Sequence, residues 1–383
     1  MTAAALRLRD LCREHGVALS EIAEHLSRSR TAVSRLANQG VWPAGDDVRP
    51  RITEYLRARG ITADWTAPIA SPATPATPST QEDLTMLLRR ETLTPDARRH
   101  FRITRDPFGE PRDIADVYTG SPDIRYVRES MLDKVKYGGM LAVVGESGAG
   151  KTTLREELID RIQREEHPAL VIQPYVLAME ESDSRGKQLK AIHIAEAIMS
   201  TVAPLTRPHS SPEARFRQLH NALRESSRAG HRHVLMIEEA HALPVQTLKH
   251  LKRFLELKDG MRPLLAIILI GQPELGVKLS EQNPEVREVV QRIEVVHLAP
   301  LDNHLTQYLT HRFARVGLTL PEMVEPAAID AIATRLTTPT GTSRKAQSNL
   351  YPLAVHNVLA RAINQAADLG APKVTADMVR ATR

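Results

Sequence analysis

Cysteine is almost absent from this chain: Cys12 is the single one in 383 residues. A lone thiol forms no internal disulfide and builds no thiolate zinc site. Long apolar runs are missing too. The longest uniformly apolar stretch is Leu264–Ile270, far short of the ~20 residues a membrane helix needs. The opening residues, MTAAALRLRDLCREHG, scatter arginines among apolar side chains and hold no signal-peptide core. His231, His233, His241 and His250 crowd one region without partner ligands at metal spacing, so they read as ordinary polar positions. No repeat of 20–50 residues is visible. These absences predict a cytoplasmic protein with no membrane partner.

What is there is ordinary in bulk, with 42% hydrophobic and 25% charged residues. The length favours two or three domains. A net charge of +5 suits a polyanionic partner without demanding one. From Thr62 to Thr80 the text is TADWTAPIASPATPATPST, rich in Pro, Ala and Thr and without periodicity. Proline removes helix donors and stiffens the chain, so 62–83 reads as an extended tether able to span about 50 Å. Residues 1–61 then form one small domain.

Beyond the tether, apolar stretches alternate with helical patterns. Met140–Val144, Ala169–Val176, Val234–Ile237, Leu264–Ile270 and Ile293–Leu298 are short and rich in Val, Ile and Leu, as strands buried on both faces of a parallel sheet are. After Pro300 the strand signal stops and helical periodicity takes over. The expectation is an α/β core over 84–300 followed by an all-helical lid over 301–383.

Gly145 to Thr152 read GESGAGKT, fitting G-x-x-x-x-G-K-[ST] at every fixed position, between an apolar strand and an amphipathic helix. Glycines let the backbone wrap so that N–H groups converge on phosphate oxygens, and the following helix adds its positive end. Gly145, Glu146, Ser147, Gly148, Ala149, Gly150, Lys151, Thr152 and Thr153 are the expected nucleotide-binding residues. Lys151 reaches the β- and γ-phosphates, Thr152 ligates Mg²⁺ and Thr153 packs locally. Downstream, VLMIEEAH (Val234–His241) sets two carboxylates after four apolar residues. In P-loop ATPases the first such acid holds Mg²⁺ through water and the second polarises the attacking water. The assignments are Glu238 and Glu239. The first position is usually aspartate, and the longer Glu238 predicts slow turnover.

From here the residues resemble the AAA+ family. LLAIILIGQPEL (Leu264–Leu275) is similar to its fourth strand, which implies that Gln272 senses the γ-phosphate. NPEVREVVQRIEVVHLAPL places Arg292 where such proteins carry an arginine finger acting on a neighbouring subunit, with Arg287 in reserve. That resemblance implies a homo-oligomer, as ring or helical filament. A Pro-Arg pair expected at the last long helix is replaced by Pro352-Leu353. Either Arg344 or Arg361 stands in, or the lid brings no charge to the nucleotide.

In the first domain, Leu19–Leu36 (LSEIAEHLSRSRTAVSRL) fits a helix-turn-helix, with Ile22, Ala23, Leu26, Val33 and Leu36 packing inward and Ser27 at the turn position usually held by glycine. Arg28, Arg30, Thr31, Ser34 and Arg35 are then candidates for contact with DNA phosphates and base edges. Residues 1–60 hold ten arginines, seven carboxylates and no lysine, a surplus of three. A three-helix bundle that docks on protein is the alternative. In the core, SRGKQLK (Arg185, Lys187, Lys190) and KHLKRFLELK (Lys249, Lys252, Arg253) are further DNA candidates, or solvated faces.

A helix-turn-helix domain, a tether and an AAA+ core with a helical lid together resemble the target-DNA-delivery B proteins of Mu-like transposing phages and related transposon ATPases. That resemblance implies Mg·ATP-dependent polymerisation on double-stranded DNA with little sequence preference, delivery of that DNA to a transposase, stimulation of strand transfer, and disassembly on hydrolysis. Arg105–Pro111 (RDPFGEP), EEAH and GQPEL also resemble the ATPases that accompany type II secretion, which implies a protein-directed ATPase instead. An ATP-switched transcription or replication regulator binding one defined site is a third reading.

Overall fold

The structure is a computed structural model. It describes residues 90–174, 189–207, 209–280, 283, 286–338 and 347–382, together with positions 8, 11–12, 17, 19–26, 28–29, 32–33, 36, 48–59, 61 and 65. The chain divides into two compact units, Met1–Thr80 and Gln81–Arg383.

In the first unit, α1 (Leu19–His25) and α2 (Val48–Ala58) are the continuous helices among the described residues. Ile22, Ala23, Leu26, Val33 and Leu36 are all buried in one cluster with Val48, Ile52 and Leu56. Ser29 Oγ accepts the Ala32 amide at 3.2 Å, the hydroxyl cap that restarts a helix after a bend. Trp65, in the segment read as tether, packs in this same cluster and donates its ring N–H to Thr53 Oγ1 at 3.0 Å. Burial drives the Cys12 thiol up to about 11, so it stays protonated and unreactive.

The second unit is built on five parallel strands: β1 (Gly139–Val144), β2 (Ala169–Ile172), β3 (Arg232–Ile237), β4 (Ala266–Gly271) and β5 (Ile293–His297). Their spatial order is β2-β3-β4-β1-β5, with Val144 beside Gly271 and Val234 beside Ala266. The expected β2 is cut short at Ile172, two residues before Pro174, which has no N–H for a ladder.

Side chains alternate between two cores, and this is why the strands read as unbroken apolar runs. Leu141, Val143, Val234, Met236, Ile268 and Ile270 face α4 (Pro122–Tyr137) and α5 (Lys151–Arg164). Ala142, Leu235, Ile237, Ile267 and Leu269 face α6 (Ala191–Val202), α7 (Pro212–Arg228) and α8 (Val245–Leu255). Truncating a fully buried one, such as Ile268→Ala, costs about 2–5 kcal/mol. A hairpin of two-residue strands, 258–259 with 262–263, precedes β4; Asp259-Gly260 marks its turn, with Gly260 at φ +63°.

Among the described residues, four lid helices of six residues or more follow α9 (Pro273–Lys278) and α10 (Arg287–Val290). They are α11 (Leu305–Ala314), α12 (Pro326–Arg335), α13 (Pro352–Asp368) and α14 (Ala376–Ala381). Proline opens α4, α7, α9, α12 and α13, where its missing N–H costs nothing. One assignment changes. Residues 93–118, expected within the α/β core and holding the short helix α3 (Pro95–His100), bury Leu93, Phe101, Ile103, Phe108 and Tyr118 in the lid's apolar cluster. Three side chains of α13 one turn apart fasten the start of that segment. Asn357 Oδ1 accepts the Glu91 amide at 2.9 Å, Arg361 Nη2 meets Glu91 Oε1 at 2.7 Å, and Asn364 Oδ1 accepts the Thr94 amide at 2.9 Å. Arg361, one expected stand-in for a lid arginine, is paired with Glu91; Arg344 lies outside the described residues.

His356 sits between Phe108 (rings 4.9 Å apart) and Tyr308, whose Oη is 2.7 Å from its Nε2. Desolvation, with Arg312, Arg315 and Arg90 close by, pushes its pKa well below 6.5. His233 is lowered as well, chiefly by burial. Both folded pKa values are depressed, so their contribution to stability is complete above pH 6.5 and fades as pH falls from there. The melting temperature should drop between pH 7 and pH 5. His356→Gln should melt lower at pH 7 yet lose less on acidification, and an equal pH slope in that variant would refute this origin.

Candidate nucleotide site

Parallel pairing brings the ends of β1, β3 and β4 to one edge, and the chemistry gathers there. The Gly145 amide donates to Gly271 O at 3.1 Å, fixing the start of the phosphate loop to the end of β4. Gly148 and Gly150 take φ of +75° and +97°, left-handed values that other residues adopt only at a cost. Lys151 opens α5 and donates from Nζ to Gly145 O and Glu146 O, both at 2.7 Å. Desolvation lowers its pKa, with Glu239, Glu146 and Glu274 pulling the other way. The ammonium is thus held at the mouth of a cradle of backbone amides.

A cleft of about 510 Å³ runs from this loop to the lid. Its phosphate end is lined by 147–154, Glu239 and Gln272, and its far end by Phe108, Pro111, Tyr118, Tyr308 and His356. The lid closes directly on the loop. The Leu353 amide donates to Gly148 O at 3.2 Å, and a Cβ on Gly148 would stand 2.3 Å from Leu353 Cβ. The position that related ATPases fill with arginine therefore contributes an apolar cover and one backbone hydrogen bond.

Charge enters the cleft from another lid helix. Arg312 on α11 lines the cleft and donates to Gly109 O at 2.6 Å. Arg315, one turn on, donates to Gly109 O at 3.1 Å and Glu110 O at 3.0 Å, so the RDPFGEP loop is clamped by two buried guanidiniums. Burial, with Arg312 alongside, lowers Arg315 to about 10. Burial also works against the Asp116 carboxylate, but the Arg112 amide at 2.9 Å and Arg105 at 2.6 Å outweigh it and hold its pKa down.

Glu239 adopts φ +46°, ψ +35°, an uncommon conformation for a residue with a Cβ and one that persists where function requires it. Its Oε2 lies 3.4 Å from His241 Nε2, and His241 Nδ1 lies 3.3 Å from the Gln272 amide nitrogen. Because Nδ1 accepts that N–H, the neutral ring carries its proton on Nε2, facing the carboxylate. His241, read from sequence as an ordinary polar position, links the acidic motif to the end of β4.

Other expected residues stand elsewhere. Glu238 is not among the residues lining the cleft; it pairs with Arg155 at 2.8 Å. Arg292 is half-exposed at the entry to β5, paired with Glu256 at 2.9 Å, and Arg287 begins α10. Arg28 is exposed at the bend after α1, and Lys190 is exposed just before α6. Arg30, Thr31, Ser34, Arg35, Arg185 and Lys187 lie outside the described residues. Lys252 is taken by Glu288 at 2.6 Å.

The donor set fits Mg·ATP. The amide cradle and Lys151 match a triphosphate. The Thr152 hydroxyl and the two glutamates are hard oxygen donors suited to Mg²⁺, which keeps several waters and needs only one or two carboxylates. Bound Mg²⁺ would neutralise charge on the β- and γ-phosphates. The protein's own part is to orient and polarise. With nucleotide bound, Lys151 and the loop amides would hold the terminal phosphate, Glu239 would accept a proton from a positioned water, and His241 would fix the carboxylate's direction.

Glu239→Gln should cut hydrolysis at least roughly 100-fold while nucleotide still binds, measured by phosphate release and fluorescent-nucleotide titration. Glu239→Gly should be equally inactive yet more stable than Glu239→Ala by about 1–2 kcal/mol, because glycine relieves the left-handed backbone. Equal melting points for the two variants would show that the backbone there is unstrained.

A family model described as an AAA domain matches residues 133–279. General secretion pathway protein A of Aeromonas hydrophila is 27% identical over 197 residues, 51% of this chain and 33% of that protein. The chain thus spans about a third of that relative's length. Among solved structures, Cdc6p of Pyrobaculum aerophilum aligns at TM-score 0.47 and 18% identity over 70% of this chain and 67% of its own. ORC2 of Aeropyrum pernix, described as ADPNP-ADP complexes, aligns at 0.46 and 15% over 74% and 70%. With its phosphate loop, acidic strand end and parallel sheet, the chain carries an AAA-type P-loop ATPase domain that uses ATP with Mg²⁺.

Proposed function

We propose that this ATPase acts on double-stranded DNA, assembling on it as an oligomer when ATP is bound, delivering it to a transposase and leaving it on hydrolysis. The observation that carries the DNA-directed part is the packing of the first unit. The five apolar positions spaced for a helix-turn-helix are buried in one core, while Arg28 and Ser29 are exposed at the bend. Such a module, joined to a nucleotide switch, suits phosphate contact governed by ATP. The transposition step rests on the architectural resemblance seen in the sequence. A cytoplasmic setting belongs to the same proposal; among the described residues no helix is long and apolar enough to cross a membrane.

Arg292 supports the oligomeric part. It stands half-exposed at the start of β5, an edge strand of the sheet, held only by a surface pair with Glu256. An arginine placed there can reach a neighbouring subunit's phosphates. A second reading, a protein-directed ATPase, is favoured by the match to General secretion pathway protein A.

Sedimentation on random-sequence duplex DNA with ATP, ADP or no nucleotide separates these readings. Assemblies that need both DNA and ATP and weaken steeply with salt are the expected result. Assembly indifferent to DNA would favour the protein-directed reading, and binding at one sequence without nucleotide would favour a regulator. Arg292→Ala should lose roughly 10³-fold in turnover. Mixing it with Glu239→Gln should restore part of the activity, since each variant supplies what the other lacks. No recovery on mixing would place Arg292 outside any shared site.

A further inference from the structure

Arg155 is a cation beside the metal-binding machinery that neither motif accounts for. It lies on α5, three residues after Thr152 and four after Lys151, so its side chain leaves the helix on their face. Its Nη1 is 2.8 Å from Glu238 Oε1 and its Nη2 3.0 Å from Glu156 Oε1. The side chain is only 20% exposed, and its Nε is buried without a partner in the protein. Glu238, meanwhile, does not line the cleft that Thr152, Glu239 and Gln272 line.

We propose that Arg155 is a positioning residue that sets the Mg²⁺ requirement of the site, by holding Glu238 away from the metal position until the cation displaces it. A guanidinium and a hydrated Mg²⁺ compete for the same carboxylate. Mg²⁺ demands near-octahedral oxygen ligation, and a carboxylate oxygen already accepting a charged N–H offers it less. The two cations also repel each other. Glu156 makes the exchange feasible. Arg155 already contacts it, so releasing Glu238 leaves the guanidinium paired rather than stranded in a partly buried position. The longer side chain at 238 fits this arrangement, since an aspartate there is one methylene shorter and gives up reach toward α5.

The test is a Mg²⁺ titration of a fluorescent ATP analogue bound to the full chain. Melting temperature and binding in EDTA check that each variant is folded. Arg155→Gln should lower the half-saturating Mg²⁺ roughly three- to tenfold. Arg155→Lys, which keeps the charge but loses the fork, should fall between that variant and the parent. Glu238→Asp, still able to ligate metal but too short for Arg155, should shift in the same direction as Arg155→Gln. If Arg155→Gln fails to fold, the other two variants decide alone. An unchanged half-saturating Mg²⁺ in these variants would make the pair purely structural. A raised value in Arg155→Gln or Arg155→Lys would make Arg155 a support of the metal site. Either result overturns the proposal.

Discussion

Parallel strand pairing is the constraint on which the rest of this domain depends. Each strand must be re-entered from the same end, so helices cover both faces and every strand finishes at one edge. Gly145 follows β1, Glu238 and Glu239 follow β3, and Gln272 follows β4. Lys151 and Gln272, more than a hundred positions apart in sequence, therefore line one cleft with Glu239, and a new strand order would scatter them. The two apolar cores that hold the sheet between helices are what keep this edge rigid enough to orient a phosphate.

The lid completes the site by unlike means on two of its helices. α13 supplies an apolar side chain and a backbone amide over Gly148, while α11 supplies two buried arginines that grip the loop around Gly109. Buried guanidiniums are tolerable only when their donors find acceptors. Here the Nη2 of each finds main-chain carbonyls of a segment that itself packs with the lid, while Arg312 Nε and Arg315 Nε and Nη1 are buried without a protein acceptor. Base-side shape and lid position are thus one structural unit, and the α/β core contributes the phosphate side.

Much of this was legible in the sequence. The five strands were, because burial on both faces leaves uninterrupted Val, Ile and Leu runs. The phosphate loop was, because its glycines answer to backbone angles that few other residues accept. The alliance of residues 93–118 with the lid was not: Glu91 and Arg361 are 270 positions apart, and no periodicity connects them. The lid arginine was sought beside Pro352, whereas the one lining the cleft comes from α11. His241 was hidden because its role depends on the Gln272 amide, 31 positions away. Arg155 was hidden because a charge on an amphipathic helix reads as solvated until its partner is seen.

The mooring of residues 91–94 has a mechanical side. Asn357, the first of the three α13 side chains that hold this segment, is one helical turn, about 6 Å of rise, from Leu353 on the phosphate loop. The incoming chain is therefore tied off next to the phosphate loop, not at a distant corner of the domain. One helix thus bears two joints a single turn apart, one to the incoming segment and one to Gly148, so neither can shift without loading the other.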